Sequence, residues 1–176
     1  MNEVEAHQIA VTVIGKVERE VLSHLCSVLA ERFGSACSIG PALPAPIMAY
    51  NPRRDQYSAE TILDTLWTGE KGRTLGVVDL DLYVPDLNFV FGLADRVGKR
   101  AVVALPRLRQ DFYGLPDDQV LFLARAAKEA VHELGHTFGL GHCQDRGCVM
   151  AFSNSLADTD TKAQEFCSRC RKKVQW

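Results

Sequence analysis

Apolar positions along the chain repeat with two different periods, and the switches between them mark its elements. Residues 8–16 (QIAVTVIGK) are rich in β-branched side chains and bounded by Gly15, which predicts a strand. Over residues 17–33, Val17, Val21, Leu25, Val28 and Leu29 recur at helical spacing, and Gly34 ends the run. Residues 37–43 predict a second strand, closed by Pro44 and Pro46, and the polar stretch 51–56 reads as a turn. Ser58 supplies an N-cap for a helix through Trp67, followed by a glycine-flanked loop at 70–73. The run 74–84 (TLGVVDLDLYV) opens as a buried strand, 88–93 (NFVFGL) is a short strand interrupted by glycine, and 101–105 (AVVAL) is the last strand, ended by Pro106. A loop over 107–116 leads to Asp117 or Asp118 as N-cap of a long helix, with Val120, Leu123, Ala127 and Val131 expected on its core face. Five strands and two helices thus precede the long helix, an α/β pattern bordering on α+β with a mixed sheet.

The long helix ends in HELGHTFGLGHC, residues 132–143. His132 and His136 are four apart, so their imidazoles leave one face of a helix a turn apart, a spacing that suits two ligands of one zinc ion. Glu133 is rotated about 100° from that face and can reach a water at the metal without being a ligand. Gly139 lets the backbone leave the helix through a positive φ, and His142 can return as a third ligand. Three protein ligands leave a fourth position open, which is the catalytic pattern for zinc.

Two cysteine pairs follow. Cys143 and Cys148 bracket QDRG, Cys167 and Cys170 bracket SR, and two close pairs on a longer connection form the frame of a four-thiolate structural zinc site. His142 and Cys143 are adjacent, so the two sites share a backbone segment and loss of the second should loosen the first. Cys26 falls within an apolar helical stripe and reads as a small buried hydrophobe, and Cys37 stands apart from any motif. Asp79 and Asp81 read as strand-end carboxylates in preference to a second metal site.

Taken together, HExxHxxGxxH, Cys143, Cys148, Met150 and the Cys167–Cys170 pair resemble the archaemetzincins (archaelysins), a family of metzincin zinc metallopeptidases. The resemblance covers 39 of 176 residues. It implies a twisted five-stranded sheet backed by helices, a zinc helix beneath a horizontal cleft, and an edge strand that binds an extended peptide antiparallel to itself, for which 88–93 is the candidate. It implies that Met150 is the Met-turn residue, an apolar floor beneath the metal; as a bare residue it reads as packing, and both readings bury it. It also implies a peptidase, with aminopeptidase activity among the expectations. One departure stands out: where some metzincins carry a tyrosine two residues after this methionine, this chain has Phe152. Oxyanion stabilisation must then come from the metal, a backbone N–H or another group; Tyr50, Tyr57, Tyr83 and Tyr113 are candidate donors.

Composition adds exclusions. A length of 176 residues fits one catalytic domain, with a sheet-containing part and the zinc helix in 1–139 and a Cys-rich part in 140–176. A net charge of −2 implies no polyanionic partner. The cations of RCRKK (169–173) read as the end of a C-terminal helix over about 160–173, with a nucleic-acid-binding zinc ribbon as the lesser alternative. No apolar run approaches the roughly 18–20 residues of a membrane span. The first residues are acidic, unlike a signal peptide, so cytoplasmic residence is expected; no pro-segment is expected before the first strand, and as nothing demands more, a monomer is expected. The leading expectation is a peptidase holding two zinc ions per chain, one catalytic on His132, His136 and His142 and one structural on Cys143, Cys148, Cys167 and Cys170, with Glu133 as base and a peptide or protein as substrate. The rivals are a catalytically weak two-zinc binding or regulatory protein on the same scaffold, motivated by Phe152, and a zinc amidohydrolase acting on a non-peptide amide.

Overall fold

The computed structural model describes residues 8–69 and 72–174; the acidic N-terminal residues and the first two residues of the loop expected at 70–73 lie outside them. In chain order the elements are β1 (Gln8–Ile14), α1 (Arg19–Phe33), β2 (Ala36–Ile39), β3 (Tyr50–Asn51), β4 (Gln56–Ser58), α2 (Ala59–Asp64), β5 (Gly72–Val78), β6 (Leu82–Tyr83), β7 (Gly92–Asp95), β8 (Arg100–Ala104), α3 (Gln119–Thr137), α4 (Leu156–Thr161) and α5 (Ser168–Val174).

Five strands form a mixed sheet in the order β2-β1-β5-β8-β7, parallel except for β7, which runs antiparallel to β8 at one edge. A sheet covered on both faces needs apolar side chains at successive positions, which is what the runs over 75–78 and 101–104 supply. Ile9, Val11, Val13, Leu75, Val77, Ala101 and Val103 face α1 and α3, while Ile14, Val78, Val102 and Ala104 face α2. The alternation follows the two-residue period of the pleat.

Both expected caps form: the Ser58 hydroxyl accepts from the Thr61 N–H at 3.3 Å, and the Asp118 carboxylate accepts from the Leu121 N–H at 2.9 Å. Several expectations are corrected. The helix after Ser58 ends at Asp64 instead of Trp67. The stretch 74–84 divides into β5 and β6, and β6 joins β3 and β4 in a small second sheet of two- and three-residue strands that no periodicity announces. Val120 is 80% exposed, whereas Ala127 and Val131 are buried as expected and Leu123 packs against the core; Phe122, Ala126, Ala130 and Leu134 complete the buried face of α3. In the first turn a helix has not yet reached the core, so periodicity overreaches there. The single C-terminal helix expected over 160–173 is two short ones, α4 and α5.

Cys26 and Cys37 are also corrected. They form a disulfide that ties α1 to β2, with their Cα atoms 5.5 Å apart. Closing an 11-residue separation restricts the unfolded chain and is worth about 2–3 kcal/mol in the loop-entropy view. Replacing both cysteines by serine should lower the urea unfolding free energy of the oxidised protein by about that amount, measured against the parent with and without reductant. Equal stabilities under oxidising conditions would show that the cross-link contributes nothing.

Candidate active site and metal centres

Helix α3 crosses beneath β7 and carries the motif on its last turns. His132 and Glu133 are buried, His136 is half-buried and His142 is exposed beyond the helix end. At Gly139 the backbone takes φ +87°, the left-handed region that glycine tolerates best, and the turn brings His142 back under the helix. The Nε2 atoms of His132 and His136 are 3.2 Å apart, and one donor atom from each of the three histidines lies within 4.8 Å of the others. Two nitrogens on a tetrahedral zinc at ~2.05 Å would be about 3.3 Å apart, so the pair is already at ligand spacing.

The tautomers are fixed by the backbone. Nδ1–H of His132 donates to the Val149 carbonyl at 2.9 Å and Nδ1–H of His136 to the Leu140 carbonyl at 2.8 Å. A carbonyl can only accept, so in each neutral ring Nε2 carries the lone pair that faces the other histidines. Burial lowers the pKa of all three, most strongly at His132, which favours the neutral, metal-receptive form.

Glu133 sits under β7. A Cβ on Gly92 would collide with the Glu133 side chain and with the Val102 carbonyl, so only glycine lets the edge strand lie this close. Burial, and then the neighbouring Glu129 charge, push the Glu133 carboxyl up to about 8, with Lys162 opposing. In zinc-stripped protein the folded chain therefore holds a proton that the unfolded carboxyl, near 4.5, gives up. That contribution to stability is full below pH 4.5 and is lost as pH rises through about 8. The histidines act oppositely, their contribution being present above 6.5 and lost as pH falls. Between pH 6.5 and 8 Glu133 thus lowers the stability of stripped protein as pH rises, while the Cys167 thiol, held down at about 6, opposes it. Glu133→Gln removes the falling part, so the urea midpoint of the variant relative to the parent should rise across this window; a difference that does not change with pH would assign the titration elsewhere.

The cleft above the histidines has a volume of about 380 Å³ and is walled by β7, the segment before it and Phe152 to Asn154. The edge strand is β7, shifted from the expected 88–93; of that stretch only Gly92 and Leu93 enter the sheet. Phe152 is 60% exposed, with its ring centroid 5.0 Å from that of His142. None of the four tyrosines lines the cleft: the Tyr50 hydroxyl donates to Asp55, the Tyr83 hydroxyl accepts from Asn51, and the Tyr113 hydroxyl donates to the Arg107 carbonyl. Met150 is fully buried, its sulfur 2.5 Å from where a Cβ on Gly135 would stand, so it packs directly against α3 behind the histidines.

The four cysteine sulfurs after His142 also converge, all within 4.8 Å of one another. The Cys143 and Cys167 sulfurs are 3.8 Å apart, against about 3.8 Å for two thiolates on a tetrahedral zinc at ~2.3 Å. Cys143 points into this group and does not line the cleft. The Cys170 N–H holds the Cys167 thiol down at about 6, whereas burial raises Cys148 and Cys170. Arg169 lies against the Cys143 and Cys167 sulfurs, and Arg171 donates to the Arg32 carbonyl at the end of α1 at 2.8 Å. Two of the RCRKK cations thus serve the fold itself. Asp79 and Asp81 are held by Arg109 and Arg107 in two-pronged pairs, as strand-end carboxylates.

The sequence profile described as Peptidase family M54 matches residues 8–176. The chain belongs to that family. Among its relatives, the archaemetzincin of Methanocaldococcus jannaschii is 46% identical over 168 residues, spanning 96% of this chain and 93% of the relative. The crystal structure of the Methanopyrus kandleri archaemetzincin superposes with a TM-score of 0.86 at 39% identity, covering 99% of this chain and 96% of the other. A zinc-dependent peptidase of Methanocorpusculum labreanum gives 0.85 at 28% identity, covering 95% of this chain and all of the other. The archaemetzincin resemblance and the mixed five-stranded α/β fold that it implied are therefore both established.

The glycine expected to admit close approach within 88–93 is Gly92, over Glu133. Sequence reasoning missed Arg96 and Glu129 of the cleft and Lys162 beside it. Arg96, in the turn after β7, donates to the Gly139 carbonyl at 2.8 Å and so ties the edge strand to the end of α3. Glu129 lies one turn before Glu133, a spacing that could have been read, and Lys162 reaches it from the end of α4 at 3.0 Å. Nothing in the sequence announces that pair.

Proposed function

We propose that this chain is a zinc-dependent peptidase with His132, His136 and His142 as ligands of a catalytic ion and Glu133 as general base. The observation that carries the reading is the convergence of three oriented imidazoles on one point of a cleft beside a buried carboxylate and an exposed sheet edge. Zinc on these nitrogens would supply a Lewis acid that polarises the scissile carbonyl and acidifies water. Glu133 takes the proton of the attacking water and returns it to the leaving amine. Main-chain groups of β7 hold the substrate extended beside the metal, as a strand added to a free edge. A second, structural zinc on Cys143, Cys148, Cys167 and Cys170 is supported by their sulfur spacing.

The rival, a two-zinc binding protein with little turnover, rests on Phe152 and on the absence of a tyrosine hydroxyl at the cleft. Metal analysis of the purified protein together with cleavage of a peptide library separates the two. Two zinc ions per chain with cleavage that chelation abolishes supports the peptidase; two ions with no peptide cut moves the reading to the rival. Cleavage only of non-peptide amides would make it an amidohydrolase.

A further inference from the structure

Glu129 is 2% exposed and Lys162 1%, and they form a buried ion pair of which Glu129 lines the cleft. Burying two opposite charges beside the site is costly and needs every polar atom satisfied. One is not. The Thr159 hydroxyl donates to Glu129 Oε1 at 2.9 Å, and Lys162 Nζ lies 3.0 Å from the same oxygen. Oε2 accepts no hydrogen bond among the described residues, and Glu129 is one of the side chains that line the cleft.

Its place along the cleft follows from two contacts. Gly92 lies over Glu133, and Arg96 binds the Gly139 carbonyl, so β7 and the zinc helix run in the same sense. Residues before Gly92 therefore lie over the turn before Glu133, where Glu129 is. That end of the cleft is walled by Val84, Leu87 and an edge-to-face pair, Phe89 and Phe91, with ring centroids 5.2 Å apart. The recess is apolar and aromatic at its sides, with one unused carboxylate oxygen at its floor.

We infer that this recess selects a substrate side chain with an apolar body and a single neutral hydrogen-bond donor at its tip, which is the chemistry of tyrosine, and that Glu129 is the residue that sets this preference. The inference deepens the peptidase reading and rests on it for the cleavage that reports it. An acidic side chain would bring a second acceptor against Oε2. A cationic one is disfavoured because the Glu129 charge is already matched by Lys162, and an added ammonium would be a buried surplus. Phenylalanine fits the walls but leaves the floor oxygen unpaired. A hydrogen bond to a charged acceptor is worth about tenfold or more in a buried site.

The test is a positional-scanning library of acetylated octapeptide amides cut by zinc-loaded, full-length protein. At one position beside the cleaved bond, tyrosine should exceed phenylalanine about tenfold in kcat/KM and should also exceed lysine and glutamate. In the Glu129→Met/Lys162→Met double variant the ratio of tyrosine to phenylalanine should fall to about one; replacing a buried ion pair by apolar side chains is commonly tolerated. Equal rates for tyrosine and phenylalanine on the parent overturn the inference with no variant needed. So does a preference for lysine, or a tyrosine preference that survives the double change. Binding of the same peptides to zinc-loaded Glu133→Ala, followed by calorimetry, separates this from failure of the peptidase reading. Tyrosine-selective binding with no cleavage by the parent removes the peptidase and keeps the role of Glu129, whereas unselective binding removes the latter.

Discussion

Glu133→Gln should bind zinc as the parent does and cleave peptides about a thousandfold more slowly, within the range set by loss of a general acid–base group. The two halves of that result have separate physical origins. In the proposed site metal binding would rest on the three imidazoles, and two of these are oriented by backbone carbonyls of Val149 and Leu140, which the substitution does not touch. Glutamine has the same shape as glutamate, so it keeps the contact with Gly92 and leaves the edge strand in place. What it lacks is a basic oxygen. The measurement is zinc per chain beside kcat/KM on the best library peptide. Retained zinc with undiminished cleavage would remove Glu133 from the chemistry; loss of both would make it a structural residue.

The fold was legible where a local rule sufficed. Ser58 and Asp118 cap helices because a short polar side chain before an apolar-periodic run can reach an orphan N–H. The buried strands at 75–78 and 101–104 read directly from unbroken apolar runs. The histidine and cysteine groups were legible for a different reason: metal ligands must converge, and local convergence leaves fixed spacings in the sequence. Failures fell where partners lie far apart or elements are very short. Cys26 looks like core because it sits on an apolar stripe, and only the return of β2 beside α1 reveals Cys37 as its partner. Strands β3 and β6 have two residues each, too few for a period to show. Lys162 belongs to no pattern, yet the fold buries it completely against Glu129, 33 residues earlier.

If the chain holds the two proposed ions, Cys148→Ser should cost it more than the structural one: zinc should fall toward none, and cleavage with it. The second site lies in the same backbone segment that holds the first. The Cys143 N–H donates to the Met150 carbonyl at 2.8 Å, and Val149, between Cys148 and Met150, supplies the carbonyl that orients His132. Cys148 is itself buried, and its sulfur accepts from the Cys167 N–H at 3.3 Å, tying this turn to the start of α5. A four-thiolate zinc contributes on the order of 10 kcal/mol to the fold of the segment that binds it, far above what one lost hydrogen bond removes. With that gone, the strap over residues 143–150 is no longer pinned against α3. His142, exposed and adjacent to Cys143, loses its position, and the Nδ1–H of His132 loses its fixed acceptor. Two imidazoles on one helix then bind zinc far more weakly than three. The control is Cys26→Ser/Cys37→Ser, whose disulfide belongs to neither ligand group and whose loss should keep both ions. One zinc retained with normal cleavage in Cys148→Ser would show the two sites to be independent despite their shared segment.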